Sequence, residues 1–96
     1  MPDMTARVPT NDASRLINRL CKHFSHKIDA SWSAGEGRLV FSIGECQLAA
    51  LPGELSLTCE SPTGQELEEL GQVVASHLER FAGGEVDTVR WQVQEA

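Results

Sequence analysis

A chain of 96 residues has the length of one domain and leaves little for a second. With 41% hydrophobic and 23% charged residues it can bury one core, and no apolar run approaches the roughly 18 residues that cross a bilayer. A net charge of −6 argues against general nucleic-acid binding, which depends on neutralising phosphates.

The opening Met1-Pro2-Asp3-Met4-Thr5-Ala6-Arg7 has neither the basic region nor the apolar stretch of a secretion signal, so a cytoplasmic protein is expected. Three cysteines, Cys21, Cys46 and Cys59, form no C-x-x-C pair and read as reduced, buried thiols. The charge is uneven. Residues 1–40 hold six Lys/Arg against four Asp/Glu, and residues 41–96 hold two against ten. Charge runs of this kind usually mark solvated faces.

Met4, Ala6 and Val8 alternate with polar neighbours and predict a first strand, closed by Pro9. Thr10, Asn11 and Asp12 offer caps for a helix over residues 13–26. Ala13, Leu16, Ile17, Leu20, Cys21 and Phe24 share one stripe of that helix, while Arg15, Arg19, Lys22 and His26 lie opposite. His23 falls at the margin. Four strands follow with period-2 alternation. Their inward sets are Ile28, Ala30 and Trp32; Leu39, Phe41 and Ile43; Cys46, Leu48 and Ala50; and Leu55, Leu57 and Cys59.

Turns are expected at residues 33–37, at Gly44-Glu45 and at Leu51-Pro52-Gly53-Glu54. Such short connections join antiparallel neighbours, giving a four-stranded meander. Its open face would carry Asp29, Ser31, Ser42, Gln47, Ser56 and Thr58.

A second helix opens at Ser61-Pro62-Thr63, with either Ser61 as the cap or Thr63 and Glu66 as a capping box. Its stripe is Leu67, Leu70, Val74, Leu78 and Phe81. His77 lies at one edge, and Gly71 at the other would allow a close neighbour. Gly83-Gly84 stops the helix, and a last strand is expected over residues 86–93 with Val89, Trp91 and Val93 on one side. The expected fold is α+β in the order β-α-β-β-β-β-α-β: an antiparallel sheet with both helices on one face. It is a single domain over residues 1–96, frayed near 1–3 and 94–96.

The densest chemistry is Cys21-Lys22-His23-Phe24-Ser25-His26-Lys27. On a helix Cys21 and His23 are about 160° apart and cannot share an ion, whereas His23 and His26 are about 60° apart. A metal site would need His77 and Cys46 as well, because zinc takes three or four ligands. His77, at the edge of an apolar stripe, is expected neutral with one ring nitrogen bonded. Arg80 must find any acid outside its own helix, in the segment of Glu85 and Asp87 or on another element. No residue is marked as a nucleophile, and there is no phosphate loop, nucleotide fingerprint or calcium loop. Catalysis has no support in the pattern.

The segments Leu20-Cys21-Lys22-His23-Phe24-Ser25-His26-Lys27, Gly44-Glu45-Cys46-Gln47-Leu48 and His77-Leu78-Glu79-Arg80-Phe81-Ala82, with Val89-Arg90-Trp91, resemble the bacterial domain of unknown function 2218 family across nearly the whole chain. The resemblance implies an arrangement similar to the TATA-binding-protein-like fold, which licenses no function by itself. It also implies a link to siderophore-interacting, reductase-like proteins and so to iron acquisition.

Three functional expectations follow. The first is a non-catalytic binding or accessory module, in which Arg15, Arg19, Lys22, Arg80, His23 and His26 meet a reductase-like protein or a small anionic ligand. The second is a metal or haem site built from His23, His26, Cys46 and His77, with iron, zinc or haem as the group held. The third is a small enzyme of unstated reaction. No nucleic acid and no membrane are expected as partners, and monomer and homodimer both remain open.

Overall fold

The alternation of residues 4–8 becomes β1 (Asp3–Pro9), with Met4, Ala6 and Val8 buried and Arg7 in water. These coordinates come from a computed structural model that describes residues 3–82 and 89–94. Asp12 precedes α1 (Ala13–Phe24) without capping it through its side chain. Instead the Asp12 N–H donates to Thr10 Oγ1 at 3.1 Å, which turns the chain into the helix. All six stripe residues of α1 are buried, so helical periodicity and burial agree.

The meander consists of β2 (Asp29–Ser33), β3 (Glu36–Phe41), β4 (Gly44–Leu51) and β5 (Glu54–Glu60). Leu39, Cys46, Leu48, Leu55, Leu57 and Cys59 form its inner surface and are essentially closed to solvent. Two turns differ from expectation. β3 begins at Glu36 rather than at Arg38, and the β3–β4 turn is Ser42-Ile43, with Gly44 already the first residue of β4. Gly44 has φ +150°, and its backbone lies against the Glu60 carbonyl and the Ser61 hydroxyl. Its glycine character therefore serves a close crossing at the strand end and not the turn itself. The Pro52-Gly53 turn falls where expected, with Gly53 at φ +75° as the third residue of a type II turn requires.

Trp32 was expected among the inward residues of β2, yet it is 38% exposed. β2 is an edge strand, and α1 covers only part of it. The indole reaches back over the helix margin, where Nε1–H donates to Asn18 Oδ1 at 2.8 Å.

α2 (Gly64–Phe81) is capped by Thr63, whose Oγ1 accepts from the Glu66 N–H at 3.2 Å and donates to Glu66 Oε1 at 3.1 Å. Of the two caps considered, this is the Thr63–Glu66 one. Ser61 is buried, and its hydroxyl has no hydrogen-bond partner among the described residues. Leu67, Leu70, Gly71, Val74 and Leu78 face the core. The Gly83-Gly84 stop and the start of the last strand lie outside the described residues. Among the described residues the paired part of that strand is β6 (Gln92–Gln94), and Val93 within it is 62% exposed.

The sheet order is β2-β3-β4-β5-β1-β6, antiparallel throughout. β1 is thus an interior strand, paired to β5 from Asp3↔Glu60 to Pro9↔Glu54 and to β6 from Asp3↔Gln94 to Thr5↔Gln92. Asp3 is paired on both sides, so the ordered ladder extends into the region expected to fray. Both helices pack on the inner face of this open α+β sheet. No helix among the described residues is long and apolar enough to cross a membrane.

Candidate functional site

The cross-strand registers align one row of the open face as Ser31, Arg38, Gln47, Thr58, Thr5 and Gln92, one residue from each strand. The surface is polar, as alternation requires. It forms a shallow concavity of about 500 Å³ lined in part by Ser31, Glu36, Arg38, Gln47, Ser56 and Thr58. Ser42, expected on this face, sits in the β3–β4 turn instead. The Arg38 guanidinium is held by Glu45, with Nη2 at 2.6 Å and Nε at 3.2 Å from Oε2, and this pairing raises its already high pKa. Arg38 and Glu45 are therefore engaged with each other.

The other candidate residues separate into two groups. Cys46 lies at the centre of the inner face, directly opposite Cys59 in register. Hydrogen bonding with the Cys59 thiol, and then burial, push the Cys46 thiol well above its ordinary value. Burial raises Cys21 as well. A protonated, enclosed thiol is neither a nucleophile nor a soft ligand at neutral pH. The expected set His23, His26, Cys46 and His77 is consequently not assembled. Among the described residues no three His, Cys, Asp or Glu side chains gather as a metal ion requires. Alternation turned Cys46 inward, and inward on this sheet means beneath both helices.

His23 and His77 do converge. The last turn of α1 carries His23 and the last turns of α2 carry His77 and Phe81, and the two helix ends meet. The imidazole centroids are 5.2 Å apart. Phe24 packs 4.8 Å from His77 and edge-on to Phe41 at 5.2 Å, and Phe81 lies edge-on to His23 at 5.2 Å. Arg19 completes the end: its guanidinium sits 5.5 Å from the centroid of the Phe81 ring and Nη1 donates to the Phe81 carbonyl at 3.4 Å. His77 Nδ1–H donates to the Val73 carbonyl at 2.7 Å, as a carbonyl acceptor demands, which leaves Nε2 available.

The expectation that His77 would be a partly buried ring with one bonded nitrogen holds in this geometry. The aromatic floor of Phe24, Phe41 and Phe81 was not visible in the sequence as a site, because each ring reads there only as a core residue of its own element.

The field at this end is positive. Partial burial first, and then the charges of His77, Lys27, His26 and Arg80, hold the His23 imidazole below the ordinary histidine value. Lys22, His26 and Lys27 are exposed around it. Arg15 is exposed one turn before Arg19 on α1. Among the described residues the ion pairs are Arg7–Glu54 and Arg38–Glu45, so none of these cations has a carboxylate partner there. The Glu85 and Asp87 segment weighed for Arg80 lies outside the described residues. Cations at helix C-termini are favoured by the macrodipole, but here two helix ends bring them together, where they repel each other. Two imidazoles with Lys27 and Arg80 acting on His23, and Arg19 on the adjoining Phe81 ring, make a poor cage for a cation and a fitting one for an anion.

The lowered His23 value predicts a direction. The unfolded histidine, near about 6.5, binds its proton before the folded one does, so stability is full above that pH and falls as the pH drops through it. Urea titrations at about pH 7.5 and about pH 5.5 should therefore show a lower midpoint in acid for the native protein, with a smaller drop for His23→Gln. Equal drops would show that His23 carries no part of the acid sensitivity.

Two amphipathic helices on one side of a six-stranded antiparallel open sheet, with charge concentrated where the helices end, define a class of small α+β proteins. Within that class the chain belongs to the family described as uncharacterized protein conserved in bacteria, DUF2218, whose match runs over residues 5–92. It is similar to PA4090 from Pseudomonas aeruginosa, solved by NMR, with 34% identity, a TM-score of 0.80 and 96% of each chain covered. No curated protein matches it.

Proposed function

We propose that the chain is a non-catalytic binding module whose helix-end surface, built from Arg19, Lys22, His23, His26, Lys27, His77 and Arg80, captures an acidic protein surface. The observation that carries this reading is the meeting of cations from α1 and α2 with no ion pair to a carboxylate among the described residues. Like charges held together are costly unless a partner offsets them, and a chain of net charge −6 gains most from concentrating its positive charge where it is used. Arg19, Lys22, His26, Lys27 and Arg80 are all exposed, and exposed cations favour a protein surface over a small enclosed anion as the partner. A siderophore-interacting, reductase-like protein is the partner that the family resemblance brings forward, and an accessory role in iron handling follows from it.

The test uses that protein and a poly-glutamate peptide as immobilised probes, with Lys22→Glu/Arg80→Glu as the variant. Neither side chain is packed in the core, so the melting temperature should hold. Binding by the native chain should weaken with added salt, and the double reversal should reduce it at least about tenfold, chiefly through slower association. Undiminished capture by the reversed variant rejects the proposal. If inorganic phosphate competes at low concentration and neither protein probe binds, the surface serves a small anion instead.

A further inference from the structure

Away from the basic end, the first half of α2, the start of β1 and the β6 segment enclose a second concavity of about 520 Å³, within the range of small-molecule sites. Its walls are mainly apolar and include Met4, Leu67, Gly71, Ala75, Trp91 and Val93. Gly71 forms part of the floor. A side chain there would collide with Met4 Cε and stand 3.2 Å from Trp91 Nε1, so the missing Cβ is what seats the indole against the helix. Beside it the Trp91 N–H has no hydrogen-bond acceptor among the described residues. It is not one of the fully enclosed unpaired groups either, so it keeps contact with open space. An indole N–H in an apolar wall normally finds a partner. Here no described residue supplies the acceptor.

The other polar groups among the described lining residues are Glu68 and Gln72, and no cation is among them. A carboxylate ligand would meet Glu68 with nothing to offset the repulsion. The geometry points to a binding site for a small, neutral, mainly apolar molecule carrying one carbonyl acceptor, held between Trp91 and the Gly71 turn of α2. This site stands apart from the basic helix ends and does not depend on the partner proposed for them.

Three probes of similar size decide it: the naphthyl ketone prodan, whose emission shifts to the blue in apolar surroundings, 2-ethylnaphthalene, which lacks the acceptor, and 2-naphthoate. Binding is read by prodan emission and by competition. The native protein should bind prodan saturably and exclude 2-naphthoate. Trp91→Phe should weaken prodan about tenfold more than it weakens 2-ethylnaphthalene, because the donor is lost together with part of the ring that both ligands touch. Ala75→Phe, checked by its melting temperature, should fill the space and remove both neutral ligands.

Absence of saturable binding to the native chain overturns the inference, as does an equal effect of Trp91→Phe on ketone and hydrocarbon. Sedimentation supplies the remaining arm. If prodan is lost as the protein dimerises, and Val93→Asp restores both monomer and binding, a second copy covers the groove and the ligand assignment fails. The charge reversal at Lys22 and Arg80 should leave all three probes unaffected.

Discussion

Gly44→Ala is expected to destabilise the protein by about 3 kcal/mol or more, a large share of the roughly 5–15 kcal/mol that holds a domain together. Two independent costs combine. The backbone at φ +150° is one that L side chains rarely adopt. The added methyl would also run into the Glu60 carbonyl and the Ser61 hydroxyl, with Leu70 Cδ2 at 3.1 Å closing the remaining side. The carbonyl is backbone at the end of β5 and cannot swing away as a flexible side chain would. Ser61→Ala in the same background should recover little, since the main obstacle remains. Urea unfolding monitored by far-UV circular dichroism measures the loss. A cost below about 1 kcal/mol would mean that the β4 entrance is looser than this packing implies.

Phe24→Ala should cost about 3–5 kcal/mol and empty the floor of the helix-end site at the same time. Phe24 is 5% exposed and touches three rings, His23, His77 and Phe41, and His23 in turn meets the Phe81 ring. Removing it takes support from both imidazoles and from the contact between α1 and β3. For a protein of this size the melting temperature should fall by about 15–30 °C. Phe24→Leu retains most of the volume, so it should fold with a smaller loss and still carry the basic surface. Binding to the acidic probes should therefore survive Phe24→Leu and disappear with Phe24→Ala. If Phe24→Ala folds well and binds as before, the aromatic floor does not position the cations.

The two outcomes draw on different kinds of information in the chain. Phe24 was placed in the core by its spacing from Leu20, Ile17 and Ala13, because a 3.6-residue period reports burial one helix at a time. Gly44 reads in the sequence as half of a turn, yet it is the first residue of β4. Glycine next to glutamate between two alternating runs looks like a hairpin connection, and only the position of the β5 end shows that it makes room for the Glu60 carbonyl. Residues 89–91 alternate like a strand without forming one, for a related reason. A strand exists only where a neighbour pairs with it, and among the described residues of this segment β1 pairs with Gln92–Gln94.

The candidate site was legible in pieces. His23, His77, Arg19 and Lys22 stand out by residue type and by their position at the rims of apolar stripes. Cys46 was equally conspicuous and belongs elsewhere, because type and alternation do not say how deep an inward residue lies. Trp91 with Gly71 was read only as strand and helix packing, since an unpartnered N–H is a property of three-dimensional surroundings.

What the amino-acid order determined alone was local: two amphipathic helices, a meander with one apolar face, the Pro52-Gly53 turn and the Thr63–Glu66 cap as one of two choices. Each depends on residues within a few positions of one another. Tertiary structure decided the insertion of β1 between β5 and β6, the burial of Cys46 against Cys59, and the meeting of the α1 and α2 ends that gathers the cations. Those outcomes join residues far apart in the chain. Their free energy comes from the surfaces that the whole sheet and both helices close together, and no single stretch of sequence encodes that closure.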